Sequence, residues 1–294
     1  MMPTEQTPFE RVVSDFAASR IALFGAALLA LILFVAVLAP LIAPQDPYDL
    51  AQLDVMDSRL APGSVAATGK TYWLGTDDQG RDMLSGIFYG LRISIGVGVA
   101  STLAALAIGL SLGLAAAYFG GRIDSLIMRI VDIQLAFPSI LIALILLALL
   151  GQGVGKIVIA LVAVQWAYYA RTVRAAALAE RKKEYIEAAT CLALSHARIV
   201  FRHLLPNCLP PLIVVATVQV AAAITLEATL SFLGLGLPIT EPSLGLLISN
   251  GFTYLLSGKY WISVFPGVAL LATIVSINLI ADRLRDVLNP RLQQ

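Results

Sequence analysis

The sequence predicts an all-α integral membrane protein with six transmembrane helices. Of its 294 residues, 59% are hydrophobic and 13% are charged, whereas soluble domains have about 45–50% and about 25%. The hydrophobic residues form long uncharged blocks, and a block of about 20 residues is long enough to cross a bilayer as a helix. With a net charge of +1, the chain lacks the excess of basic residues that neutralises the phosphates of a bound nucleic acid. We therefore expect the lipid bilayer, and no nucleic acid, as a partner.

Uncharged runs locate the predicted spans at residues 21–42, 93–121, 133–155, 156–174, 203–226 and 260–281. The second contains Gly109 and Gly113 at a four-residue spacing that lets a neighbouring helix approach closely. In the fourth, Lys156 and Arg171 would extend their charges to the two interfaces.

Lysine and arginine predict the orientation, because they accumulate on the cytoplasmic side of membrane proteins. With the N-terminus inside, most of the 20 basic residues would be cytoplasmic. The predicted division is a cytoplasmic head (1–20), a first transmembrane helix (21–43), a periplasmic segment (44–92), a five-helix core (93–282) and a cytoplasmic tail (283–294). The core includes a cytoplasmic loop at residues 174–206.

The cytoplasmic head is expected to form an interfacial amphipathic helix, since Phe9, Val12, Val13 and Phe16 recur at helical spacing. A solvated lead-in is the alternative. The first span is longer than the apolar region of a cleavable signal peptide, about 7–15 residues, so we expect it to remain as a helix.

The 174–206 loop is expected to be helical, because it has no Pro or Gly before Pro206 and many helix formers. Glu187, Ala188 and Ala189, with Ala193 four residues further on, would place a carboxylate beside a smooth surface that fits a groove on another protein. The alternative is a solvated connector, which the spacing alone favours.

Leu205, Pro206 and Asn207 are expected to break that helix, because proline cannot continue the hydrogen-bond ladder. The fifth span would then begin after Pro210 and Pro211.

Residues 187–206 resemble the EAA signature of permease subunits of ABC importers, EAA-x3-G-x9-I-x-L-P. The matching positions are Glu187, Ala188, Ala189, Leu205 and Pro206, with Ala193 at the usual Gly and His203 at the usual Ile. The extra methyl group of Ala193 is expected to make the contact with a partner protein less close.

Three further segments resemble the C-subunit type of dipeptide, oligopeptide and nickel permeases. Two of them are residues 230–236 and 278–291. The third carries a periplasmic motif made of Gly75, Thr76, Asp77, Gly80, Arg81 and Asp82.

This resemblance implies a type I importer permease in the bacterial inner membrane. The partners would be a second homologous permease, two cytoplasmic ATPases and a periplasmic solute-binding protein. The helix with the EAA residues would couple to an ATPase. ATP and magnesium would be bound by the ATPases, with no cofactor, metal or catalytic residue in this chain. Peptides are the expected substrate; nickel chelates, glutathione, opines and sugars are alternatives within the same machinery.

Glu227, at the outer edge of the fifth span, has two explanations. It either faces the translocation path or a gate, or it bonds the backbone of the 230–236 turn. The rival classes are a secondary transporter, which needs ion-coupling charges within its helices, and a membrane-embedded enzyme, which needs catalytic groups at membrane depth. The sequence favours neither.

Overall fold

The chain is mostly helical in the computed structural model, which describes residues 8–49, 52–66 and 69–288. The helices are α1 (Pro8–Ala17), α2 (Arg20–Ile42), α3 (Met83–Phe119), α4 (Gly121–Ala136), α5 (Ser139–Leu150), α6 (Val154–Glu180), α7 (Glu184–Cys191), α8 (His196–Arg198), α9 (Leu205–Phe232), α10 (Leu244–Phe252) and α11 (Trp261–Leu288). A π-helical turn (Ile199–Leu204) joins α8 to α9. Strands β1 (Ser64–Val65) and β2 (Thr71–Tyr72) pair antiparallel between α2 and α3.

Among the described residues, four helices are long and apolar enough to cross a membrane: α2, α3, α11 and the continuous helix His196–Phe232 that contains α9. The bent pair α4 and α5 provides a fifth candidate. The predicted fourth span corresponds to α6, a more polar helix of 27 residues that packs against α3, α5 and α9. The predicted all-α membrane class is confirmed, and the count of six spans stays a prediction.

The third predicted span is wrong as a single helix. Its residues lie in α4 and α5, which meet at a bend of 92°. The bend occurs at Phe137, which is extended (φ −93°, ψ 145°), and Pro138. Proline disfavours the helical conformation of the residue before it, so the chain leaves α4 and restarts as α5.

Close packing of α3 on α6 forms the centre of the fold, with the most extensive contact between two helices of the described residues. Gly109 permits it, since a Cβ there would lie 2.5 Å from the carbonyl oxygen of Trp166. Gly113 is similar, with its Cβ position 2.6 Å from the carbonyl oxygen of Ala170. The close approach predicted from this glycine spacing is confirmed.

The ends of several elements differ from the predicted boundaries. α3 begins at Met83, well before residue 93, because Asp82 caps its first turn. α11 continues to Leu288, beyond residue 282. The expected head helix exists as α1, and the guanidinium of Arg283 donates a hydrogen bond to the carbonyl oxygen of Asp15. The side chain of Phe9, part of the predicted apolar face, lies outside the described residues.

Candidate functional site

The EAA residues Glu187, Ala188 and Ala189 lie on α7, a two-turn helix in the α6–α9 connection (residues 181–204). Ile186 and Ala189 are buried against Ile199, with Tyr118 and Leu194 packed around them. Glu187 and Ala188 are exposed on α7. The expectation that Ala189 belongs to the outward contact surface is therefore wrong: its side chain is 5% exposed and packs inside the chain.

Ala193 ends α7 in the left-handed conformation, with φ of 52°. The amide of Leu194 donates to the carbonyl oxygen of Ala189 at 3.3 Å, and the amide of Ala193 donates to that of Thr190 at 2.9 Å. These two bonds define a Schellman motif, whose left-handed position is usually glycine. The glycine of the EAA signature thus has a conformational reason at this position, and the effect of the extra methyl group on a partner contact stays a prediction.

Tyr118, near the end of α3, holds the α6–α9 connection against the membrane helices. Its hydroxyl shares a hydrogen bond with Nδ1 of His196, and the guanidinium carbon of Arg181 lies 5.6 Å from its ring centroid. Arg181 also donates to the carbonyl oxygen of Ala117 at 2.9 Å. The connection is therefore fixed to α3 from both sides of α7.

A second attachment joins α7 to α6 and α9. The Tyr185 hydroxyl donates to Oε2 of Glu180 at 2.8 Å, and the side-chain amide of Asn207 donates to the Tyr185 oxygen at 3.1 Å. Burial and then this bond to Glu180 raise the pKa of Tyr185 to about 12, so the phenol stays protonated and can donate.

Leu205 and Pro206 do not break a helix, contrary to the sequence-based expectation. They lie where the π-helical turn passes into α9, and Pro206 is in the first turn of α9, so the chain continues as one helix through this point. Pro210 and Pro211 also lie inside α9. The actual breaks in the 174–206 loop come earlier, before Glu184 and after Cys191.

The six residues of the predicted periplasmic motif form a buried turn ahead of α3. Thr76, Asp77, Arg81 and Asp82 are each at most 2% exposed. Asp82 accepts from the Ser85 amide at 2.9 Å as the cap of α3. The motif therefore stabilises the fold of this chain, and its polar side chains are not exposed on the surface.

The two motif glycines permit turns that other residues would strain. Gly75 has φ of 78° and Gly80 has φ of 76°. A Cβ on Gly80 would lie 2.0 Å from the carbonyl oxygen of Asp54. The turn can approach the preceding segment this closely only because Gly80 has no side chain.

Arg81 and Asp77 form a buried pair inside this turn. Nε of Arg81 lies 3.9 Å from Oδ2 of Asp77, and Nη2 of Arg81 donates to the carbonyl oxygen of Ile239 at 3.4 Å. Burial raises the pKa of Asp77 to about 6, although the Arg81 charge lowers it. Asp77 thus remains ionised at neutral pH, and Arg81 ties the turn to the segment that precedes α10.

Glu227 is fully buried between α9 and α3. Ser94 donates to its Oε2 at 2.8 Å, and Ser231 donates to its Oε1 at 2.7 Å. Of the two explanations, the one with a bond to the 230–236 turn is wrong in its partner, because Glu227 bonds this turn through the side chain of Ser231 and not through the backbone. The sequence did not predict the pairing of Ser94 with Glu227, because the two residues lie far apart in the chain.

Comparison with known proteins identifies the family of this arrangement. Residues 105–294 match the model of the binding-protein-dependent transport system inner membrane component. The chain belongs to this permease family. Residues 7–62 of the permease also match the N-terminal transmembrane domain of oligopeptide transport permease C.

Full-length relatives agree with this assignment. The permease is 36% identical to the dipeptide transport system permease protein DppC of Haemophilus influenzae, over 98% of this chain and 97% of the relative. It is 38% identical to the di/tripeptide transport system permease protein DppC of Pseudomonas aeruginosa, over 98% and 93%.

A solved structure shows the same fold. The inward-facing MetNI methionine ABC transporter aligns with a TM-score of 0.57 at 21% identity, covering 70% of this permease and 97% of that chain. The protein is thus a multi-pass membrane permease with the helical fold of an ABC importer subunit.

Proposed function

We propose that this permease is a transmembrane subunit of an ATP-driven importer of di- or oligopeptides. The observation that carries the proposal is the exposed Glu187–Ala188 surface on α7, which is anchored to α3 through Tyr118 and to α6 and α9 through Tyr185. A force applied to α7 would therefore reach three membrane helices directly.

The proposed assembly is a heterodimer of two homologous permeases with two cytoplasmic ATPases and a periplasmic solute-binding protein. ATP and magnesium would bind to the ATPases, while this chain contributes no catalytic group and no cofactor site. The names of the relatives support peptides as the substrate. Nickel chelates, glutathione, opines or sugars are the alternatives that the same machinery would serve.

Coupling would follow from docking of α7 into one ATPase. Closure of the ATPase pair around ATP would move α7 and tilt α3, α6 and α9, so that the path opens alternately to the two sides. The loaded binding protein outside and ATP inside would bias the same two-state element, which is the requirement for energetic coupling.

Charge reversal at Glu187 tests the coupling. A partly desolvated, charge-assisted contact contributes about 1.5–3 kcal/mol, so Glu187→Lys should weaken ATPase docking about 10-fold to 100-fold. We expect the assembled complex to lose hydrolysis stimulated by the binding protein. Asp286→Lys is the matched control, since Asp286 is exposed near the end of α11 and on the same predicted side. Full peptide uptake by Glu187→Lys would show that α7 is only a connector.

The proposed orientation places both termini and α7 in the cytoplasm, with the β1–β2 hairpin in the periplasm. Cysteine replacing Val65, which is 62% exposed, should react with an impermeant maleimide on intact spheroplasts in a variant without Cys191 and Cys208. Cysteine replacing the exposed Lys182 should react only after lysis. The reverse pattern would contradict the orientation and the proposed docking of α7.

A further inference from the structure

A polar groove of about 330 Å³ lies between α5, α6 and α9. Most of the described residues that line it carry a hydroxyl or an amide, and none of these lining residues is charged; the polar ones are Ser139, Gln165, Tyr168, Gln219, Thr225 and Thr229. The volume is at the lower end of the range for ligand sites, about 300–1,000 Å³.

Two polar side chains of this groove lie in the middle of long helices. Gln165 lies near the middle of α6 and Gln219 near the middle of α9. Polar side chains within membrane helices are costly and mark substrate paths or water-filled cavities. By contrast, a groove of about 380 Å³ between α2, α3, α9 and α11 is lined by aliphatic side chains apart from Thr102 and Thr217.

Gln165 carries an unused acceptor at the groove. Its side chain is 3% exposed, and its Nε2 donates to the carbonyl oxygen of Gln219 at 3.1 Å. Its Oε1 is buried and accepts from no donor among the described residues. A buried acceptor without a donor is destabilising, so this oxygen is suited to a donor supplied by a ligand.

The start of α5 supplies hydrogen-bond donors, whereas Gln165 supplies an acceptor. Ser139 lines the groove and is the first residue of α5, directly after the 92° bend. Pro138 provides no side-chain cap, and the first amides of a helix lack partners within it. Such an amide end attracts anions, and broken membrane helices use it to bind anionic substrate groups.

We propose that this groove is a peptide-binding subsite on the translocation path. Oε1 of Gln165 accepts from a backbone N–H of the peptide, and the start of α5 receives its carboxylate. Because no lining side chain is charged, the subsite recognises groups that every peptide has and leaves side-chain selection to the solute-binding protein. This inference rests on the proposed function and deepens it.

Substitutions in the complete complex test the subsite. The permease, its partner permease, the ATPases and the binding protein are reconstituted in liposomes, and uptake of radiolabelled Ala-Ala is measured. Gln165→Leu should lower uptake about fivefold to tenfold, the effect of one lost hydrogen bond. Thr225→Val, which makes the wall of this groove more apolar, should also lower uptake, while hydrolysis stimulated by the binding protein persists.

Thr217→Val is the matched control and should change uptake less than about twofold. Thr217 is also on α9, and its hydroxyl bonds to the carbonyl oxygen of Ile213 as that of Thr225 bonds to Ala221. Thr217 lines the aliphatic groove instead.

Photo-crosslinking gives a second measurement that needs no loss of function. A benzophenone side chain at Ala222, which lines the polar groove, should label Ala-Ala during turnover, whereas one at Leu103 in the aliphatic groove should not. Normal uptake by Gln165→Leu, or labelling at Leu103 without labelling at Ala222, would overturn the subsite. No Ala-Ala uptake by the unmodified complex would instead refute the proposed function, and the subsite with it.

Discussion

Replacing Ala193 by glycine should stabilise the end of α7. Ala193 has φ of 52°, and a left-handed conformation costs a residue with a Cβ about 1–2 kcal/mol. Glycine removes this cost but has the greater backbone freedom when unfolded, which offsets about 0.4–1 kcal/mol. Ala193 is exposed, so little packing is lost with its methyl group. We expect a net local stabilisation of about 0.5–1 kcal/mol.

Hydrogen exchange measures this change at the bonds concerned. The amides of Ala193 and Leu194 close the Schellman motif, and in Ala193→Gly they should exchange about twofold to fivefold more slowly. Ala188→Gly is the control, because Ala188 is exposed on the same helix with helical geometry, where glycine costs about 1 kcal/mol. Faster exchange in both variants would refute the conformational argument.

Three further changes have expected outcomes in thermal unfolding of the purified permease. Gly109→Ala should destabilise α3 against α6 by about 1–3 kcal/mol through overpacking, while Gly96→Ala on α3 should not, since a Cβ there meets nothing within 4 Å. Glu227→Leu removes the acceptor of two serine hydroxyls and should cost about 1–3 kcal/mol; Glu227→Gln, which keeps a carbonyl acceptor, should behave nearly normally, and equal losses would contradict the structural role. Burial raises the pKa of Asp77 from 3.8 to about 6, so its contribution to stability is complete below the lower value and is lost as pH rises through the higher one. Asp77→Asn should flatten the stability profile over that interval, and an unchanged profile would show that Asp77 does not titrate there.

Hydropathy and glycine spacing predicted the features that depend on composition. The first span coincides with α2 because a long uncharged run must be helical in a bilayer. The contact at Gly109 and Gly113 followed because residues four apart share a helix face. These signals are local, so they can be read without knowing the neighbouring helix.

The wrong predictions concern which way a side chain faces and which residue it contacts, and both depend on how distant elements pack together. Ala189 faces inward because Ile199 lies beside it, and α7 has only eight residues, too few for a clear apolar face. Ser94 and Glu227 are 133 positions apart, and nothing local pairs them. The break at Pro138 was the exception, since the effect of proline on Phe137 was available from the sequence.

The length of α3 has a mechanical consequence. Its 37 residues form a rod of about 55 Å, whereas the hydrocarbon core is about 30 Å thick. One end is clamped by the buried turn around Asp82 and the other carries Tyr118. If the rod pivots near its centre, a tilt of about 5° shifts the two ends by about 2 Å in opposite directions. A single continuous helix would thus act as a rigid lever. A displacement of one end at one face of the membrane would move the other end at the opposite face, without any change in the hydrogen bonds within the helix.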